Sequence, residues 1–274
     1  MKFAICQELF VDWDWERQCR CIAETGYTGI EVAPFTLARS PSEVPATERR
    51  QMRTIAADQG LEIIGLHWLL AKTEGLHLTT ADAATRRRTA TYLADLADLC
   101  ADLGGTIMVF GSPQQRNREP GVSPEQACAH AIEVFRACLP HLSARGVTLC
   151  LEPLTTQETN FCNTCAEAAE MIKIIDHPNF LLHQDVKAML SETMPVPELI
   201  REFADVTAHF HANDSNLLGP GMGETNFDPI FAALRDTHYS GWVSVEVFDY
   251  APGAEQIAKK SLKNMQISWE RARG

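Results

Sequence analysis

Short runs of β-branched and aliphatic residues recur along this chain, separated by longer stretches in which apolar positions return every three or four residues. The first four runs lie at 2–6 (KFAIC), 28–32 (TGIEV), 61–66 (LEIIGL) and 106–110 (TIMVF). The second four lie at 147–151 (VTLCL), 180–185 (FLLHQD), 206–211 (VTAHFH) and 242–247 (WVSVEV). Helical spacing is clearest from Ala90 to Leu103 and from Ala129 to Leu142. Strands alternating with helices predict parallel pairing through βαβ units. Eight units within 274 residues predict an α/β fold of the (β/α)8 TIM-barrel type, formed by residues 1–274 as one domain.

Turn and cap residues punctuate the same scheme. Ser123-Pro124-Glu125-Gln126 reads as an N-cap with proline at the first helical position. Arg145-Gly146 reads as a helix end that runs directly into a strand. Thr25-Gly26-Tyr27, Gln59-Gly60, Gly104-Gly105 and Ser240-Gly241 predict the same helix-to-strand junction, and Asn226-Phe227-Asp228-Pro229 a further helix start. Arg86-Arg87-Arg88 reads as a solvated helix face rather than a binding patch.

In a barrel of this kind, chemistry belongs at the carboxyl ends of the strands. The last four runs end in Glu152, Asp185, His211 and Glu246. Alternation within a strand puts Thr148, Cys150 and Glu152 on one face, and likewise His183 with Asp185, His209 with His211, and Ser244 with Glu246. All four strand-end residues therefore take the parity assigned to the barrel interior. Three carboxylates gathered without a cation would repel one another, whereas one divalent ion resolves the repulsion. Mixed oxygen and imidazole donors suit Mn2+ first, with Mg2+, Co2+ and Zn2+ as alternatives.

Composition narrows the partners. The formal charge is -12, from 36 acidic against 24 basic residues, so phosphate backbones are repelled and a nucleic-acid partner is not expected. No apolar run approaches the roughly 20 residues needed to span a bilayer, which argues against a membrane partner. The first residues enter a strand-like run without an apolar leader, and the nine cysteines sit in core-like segments. Both features predict reduced thiols and a cytoplasmic location. Cys162-Asn163-Thr164-Cys165 forms a CxxC, but no second pair at zinc spacing accompanies it.

With these residues in place, the chain resembles the xylose isomerase-like TIM-barrel superfamily of sugar isomerases and epimerases over essentially its whole length. Glu152, Asp185, His211 and Glu246 match the four metal ligands of ketose 3-epimerases of the D-tagatose 3-epimerase type. The resemblance implies a metal-dependent isomerase or epimerase acting on a small carbohydrate. Glu152 and Glu246 would move a proton next to a carbonyl through an enediolate, from opposite faces of the substrate. It also implies a substrate-contacting Glu158 and a homodimer or homotetramer. Two departures concern the sugar pocket: Ala188 stands where those epimerases have a clamping histidine, and Leu217 where they have an arginine. Lys187, Asn213 and Asp214 are the candidate replacements. The same proton abstraction could open a lyase or dehydratase reaction on a 3-keto-glycoside or keto-cyclitol. A DNA-repair role like that of endonuclease IV, which shares the fold, fits less well, because that family's extra metal-binding histidines are missing.

Other strand ends supply further candidates. His67 matches a substrate-facing position of the superfamily and reads equally as a buried, hydrogen-bonded histidine. Trp68 and Phe110 could pack on a sugar's apolar face or cap the barrel. Glu31 faces inward only if its strand keeps the common parity. His183 and His209, a layer deeper, read as supporting or core histidines. Gly219-Pro-Gly-Met-Gly223-Glu224 reads as a mobile lid, by analogy with the superfamily's glycine-rich loop there.

Overall fold

In a computed structural model that describes residues 1–10 and 12–274, the eight predicted runs form eight strands: β1 Lys2–Cys6, β2 Gly29–Val32, β3 Glu62–Leu66, β4 Ile107–Phe110, β5 Thr148–Leu151, β6 Phe180–Asp185, β7 Thr207–Ala212 and β8 Trp242–Val245. They pair in chain order, all parallel, and β8 closes on β1. Helices follow the strands, the longest being Ala83–Leu103, Pro124–Ala144 and Ala254–Arg273. Among the described residues no helix is long and apolar enough to cross a membrane.

Alternation divides the strands between two environments. Outward residues such as Ile5, Ile30, Leu149, Leu182, Phe210 and Val243 join the buried layer beneath the helices. Phe110 belongs to that layer too, edge-on to Phe135 at 5.4 Å, so it neither meets a substrate nor caps the barrel mouth. Ala4, Ile64 and Trp242 plug the floor of the barrel. Above that floor the interior turns polar: Cys6, Glu31, His183, His209, His211 and Ser244 are all 1% exposed or less.

Most cap readings hold. Ser123 caps the helix Pro124–Ala144 in a reciprocal box with Gln126, and Pro124 takes the first turn. Gly26, Gly60, Gly104 and Gly146 all have positive φ, as helix-ending glycines do. Ser240-Gly241 is a correction: the helix Asp228–Asp236 ends earlier, and the left-handed residue is His238 at φ 56°. Gly241 is instead small because a side chain there would overlap the Tyr239 ring. Asn226 contributes to the start of that helix by accepting from Asp228 N at 3.1 Å.

Arg86 is a second correction. Arg87 and Arg88 are exposed, but Arg86 is buried, donating to Thr80 O, Ala81 O and the Glu133 carboxylate. Its guanidinium pins the loop after β3 to two helices, so only part of the arginine run is a solvated face. The nine cysteines are all unpaired. Cys162 and Cys165 are buried, and burial pushes the Cys162 thiol up to about 12, which suits an inert core thiol better than a redox centre.

Candidate active site

The chemistry-bearing residues gather where β5 to β8 end. Asp185 pairs in register with His211, and His211 with Ser244, so Glu246 stands one side-chain layer above them. Leu151 pairs with Leu182, which brings Glu152, the next residue, level with His183. The four predicted residues thus converge from staggered heights. Donor atoms of Glu152, His183, Asp185 and His211 all lie within 4.8 Å of one another. Glu246 joins this group at its rim, with Oε2 3.2 Å from His211 Nδ1 and Oε1 accepting from Trp68 Nε1 at 2.6 Å.

Each member is held by a neighbour. Asn213 donates to Asp185 Oδ2 at 2.5 Å, and Asp185 Oδ1 accepts from Ala188 N at 2.8 Å. Asn213 Oδ1 also accepts from Lys187 N, so this buried amide positions Asp185 instead of facing a ligand. Arg116, fully buried, donates to Glu152 O and Phe110 O, both at 2.6 Å. Gly111 lies against Glu152, and a β-carbon there would overlap Oε2. Beneath them Glu31 takes hydrogen bonds from His209 Nε2 at 2.9 Å and from His211 Nε2 at 3.1 Å. Glu31 therefore faces inward, and its carboxylate orients the histidine that faces the site.

Burial and charge set the proton affinities. Burial favours a neutral Glu31, but the His209 and His211 rings outweigh it and hold the carboxyl well below the usual range. For Glu152, burial and then Glu246 and Asp185 push the value well above the usual range. Glu246 goes the other way: burial raises it, and the stronger combined pull of His211, His67 and Lys187 lowers it. For His183, burial and then the His211 and His209 rings hold the imidazole well below its ordinary value. Both of its nitrogens lack a hydrogen-bond partner among the described residues. Crowded carboxylates beside an unspent buried imidazole are the surroundings that a divalent cation satisfies, so the residues fit such an ion.

A cavity of about 290 Å³ opens above this group, with Trp68, Lys72, Glu152, Lys187, Glu246 and Phe248 in its wall. Glu158 lines it as well and pairs with Lys187 Nζ at 2.7 Å. Trp68 and Lys72 both hold positive φ, at 54° and 58°, a strained backbone of the kind found at ligand clamps. His67 is fully buried, bonded to Glu8 at 2.7 Å, and does not line the cavity. Glu8, Arg116 and Phe248 escaped the sequence reading because each lies outside the strand-end pattern, in a turn or loop without a motif.

The glycine-rich loop departs from the lid reading. It packs on the helix Ala254–Arg273: Asn264 donates to Pro220 O at 3.0 Å, and side chains at Gly219 and Gly221 would strike Ser261 and Asn264. None of its residues lines the cavity. Buried Asp214 holds it, accepting from Ser215 N, Gly223 N and Thr225 N at 2.8, 2.9 and 3.1 Å. Burial raises the Asp214 pKa, yet hydrogen bonds from Thr225, Gly223 and Ser215 together bring it below the ordinary value. A depressed folded-state value means that the stabilisation is complete above the unfolded value of about 3.9 and is lost as pH falls through the folded one. Asp214→Asn should cost about 1–3 kcal/mol at neutral pH. Thermal melts should show the gap to wild type closing below about pH 4, and a gap that stays constant with pH would refute the assignment.

Comparison with known proteins agrees with the fold. A D-psicose 3-epimerase from Agrobacterium fabrum is 27% identical over 232 residues, covering 83% of this chain and 77% of that one. The structure of a D-psicose 3-epimerase with D-tagatose from Clostridium cellulolyticum H10 superposes with a TM-score of 0.88 at 20% identity, covering 98% of this chain and 99% of that one. A 3-keto-D-glucoside 4-epimerase from E. coli gives 0.83 at 20% identity, covering 97% and 99%. The sequence pattern of the xylose isomerase-like TIM barrel family runs through residues 19–267. On that match, with eight parallel strands closing in chain order, the chain belongs to the xylose isomerase-like TIM barrel family.

Proposed function

We propose that this protein is a divalent-metal-dependent epimerase or isomerase of a sugar or keto-polyol, with Glu152, Asp185, His211 and Glu246 holding the ion. The observation that carries the reading is that Glu152 and Glu246, 5% and 3% exposed, line one cavity beside Asp185 and His211. A two-base proton transfer needs two carboxyls that both reach the same bound carbon, one to take a proton and the other to return one. A bound cation, Mn2+ in this reading, supplies Lewis acidity beside the substrate's carbonyl and hydroxyl oxygens. Glu246, steadied by Trp68 and His211, takes the proton from the carbon next to the carbonyl. Glu152 returns a proton from the other face, which inverts that carbon. Lys187 and Glu158 reach hydroxyl groups further out, and Trp68 and Phe248 cover apolar C–H faces of the ring.

A second reading, action on a 3-keto-glycoside, draws support from the outer cavity. Ala188 is buried and Leu217 lies outside the cavity wall, so neither offers a polar clamp to a free ketose. A neighbouring cleft of about 700 Å³ shares Ala71 and Lys72 with the site. Rings of Phe35, Trp68 and Phe248 follow one another at 5.9 and 6.3 Å, a platform longer than one sugar. The abstracted proton's electron pair could there expel a β-leaving group instead of recapturing a proton. Elemental analysis followed by incubation in deuterium oxide with ketoses and with 3-keto-glycosides tests both readings. Deuterium next to the carbonyl is expected, and product stereochemistry separates epimerisation from elimination. Protein without metal, or metal-loaded protein that exchanges no proton in any of these substrates, would sink the proposal.

Assembly as a homodimer or homotetramer in the cytoplasm belongs to the same reading. Exposed Leu190, Met194, Leu217 and Tyr250 all follow β6, β7 or β8, which supports pairing near the mouth of the barrel. Light scattering on purified protein tests it.

Gly111→Ala probes the site without removing a functional group. The added methyl overlaps Glu152 Oε2 and must push that carboxylate aside. A displacement near 1 Å should lower turnover by about 10²-fold with the barrel still folded. Unchanged kinetics would show that Glu152 acts from another position.

A further inference from the structure

Four histidines stand in the upper half of the barrel interior, and three of them spend ring nitrogens on carboxylates. His67 meets Glu8, His209 meets Glu31, and His211 meets both Glu31 and Glu246. His183 meets none. It is fully buried, and neither Nδ1 nor Nε2 has a hydrogen-bond partner among the described residues. A buried imidazole with two unspent nitrogens forfeits its hydrogen bonds to water and gains nothing in return. Packing alone does not explain the choice, because a leucine or phenylalanine would fill the space without that cost.

Its position supplies a reason. His183 lies on β6 two residues before Asp185, on the same face, and the strand register brings Glu152 level with it. One ring nitrogen lies within 4.8 Å of donor atoms on Glu152, Asp185 and His211. Two donors bound at about 2.1 Å to one ion stand no more than about 4.2 Å apart. In a tetrahedral shell the donors stand about 3.4 Å apart, so side-chain movements on the order of 1 Å gather all four on one centre.

We propose that His183 is an additional metal ligand, giving this barrel two imidazole donors where the resemblance supplies one. The inference rests on the metal reading above and extends it. Glu246 keeps its place in that ligand set at the rim, where it also contacts Trp68 and His211. A second imidazole also changes which ion the site prefers. Carboxylate-rich sites suit Mg2+ and Mn2+, whereas added nitrogen donors favour Co2+ and Zn2+. The site should thus discriminate for Zn2+ and Co2+ over Mn2+ more strongly than a site with one histidine.

The test uses the purified full chain loaded with one metal at a time. X-ray absorption of the wild-type Zn2+ form should show two imidazoles in the coordination shell, and one imidazole would overturn the proposal. Chelator competition on His183→Phe should show Zn2+ and Co2+ affinity reduced at least about 10-fold, with Mn2+ affinity reduced less. The visible Co2+ spectrum should shift as well. A folded His183→Phe with unchanged affinity and spectrum would overturn the assignment, and the wild-type absorption measurement decides the question if that variant does not fold. Glu152→Gln separates the two levels of the argument. If it loses metal while His183→Phe does not, the metal reading stands and this inference falls. Wild-type protein that binds no metal would overturn both.

Discussion

Glu246→Gln should abolish uptake of solvent deuterium next to the substrate carbonyl and lower turnover by about 10²–10⁴-fold, the range expected when a general base is removed. The amide keeps the size of the carboxyl, and its oxygen can still accept from Trp68 Nε1, which now donates to Glu246 Oε1. It cannot accept a proton from carbon at neutral pH. Packing should hardly change, because the residue is wedged between Trp68 and His211. The amide is also a weaker metal donor, so some loss arises through the ion. Measuring metal content alongside turnover separates the two contributions, since saturating metal restores only the binding part. Full activity in metal-replete Glu246→Gln would remove Glu246 from the proton-transfer role.

The largest effect on stability is expected at Arg116. Its guanidinium is 0% exposed and donates to Phe110 O and Glu152 O, at the ends of β4 and β5, while lying 5.2 Å from the Phe110 ring. Arg116→Met keeps much of the stem and removes the fork. Two buried carbonyls then lose a charged donor, at about 1–3 kcal/mol each, so a total of about 2–6 kcal/mol follows. Urea unfolding should show the midpoint falling with little change in slope. Metal affinity should fall with it, because the same fork holds the backbone of Glu152. Arg116→Lys should recover less than half of the loss, since one ammonium cannot serve both carbonyls with Arg geometry. A cost below about 1 kcal/mol would mean that water replaces the fork without penalty.

Residues whose placement follows from strand alternation were readable in advance, and those whose placement follows from a meeting of distant loops were not. Glu152, Asp185, His211 and Glu246 end regular runs, so period-two alternation assigned their faces and the barrel assigned their end. Glu31 resisted that logic. The pairing of β2 with β3 slips between Ile30 and Glu31, and parity cannot be carried across a bulge. The relative height of Glu246 was hidden for a related reason. Stagger between strands is a property of closure, and no single strand records it.

Long-range contacts account for the remaining differences. Arg86 sits in a basic run, but its partners Thr80, Ala81 and Glu133 come from a loop and another helix. Nothing around Gly219 to Gly223 reveals that Ser261 and Asn264 wait beneath the loop, where Gly219 and Gly221 make close-packing contacts. Asn213 looked like a substrate donor until Asp185 and Lys187 N claimed its amide.

The amino-acid sequence by itself therefore determined the barrel and the strand ends at which Glu152, Asp185, His211 and Glu246 stand, because hydrophobic period and strand parity are local properties of the chain. Only the tertiary structure decided how those residues are held: Arg116 under Glu152, Asn213 beside Asp185, Glu31 behind His211, and His183 left with two free nitrogens among the carboxylates. The physical reason is that hydrogen-bond satisfaction in a closed interior depends on which side chains meet across the barrel, and closure brings together residues as far apart in the chain as Glu31 and His211.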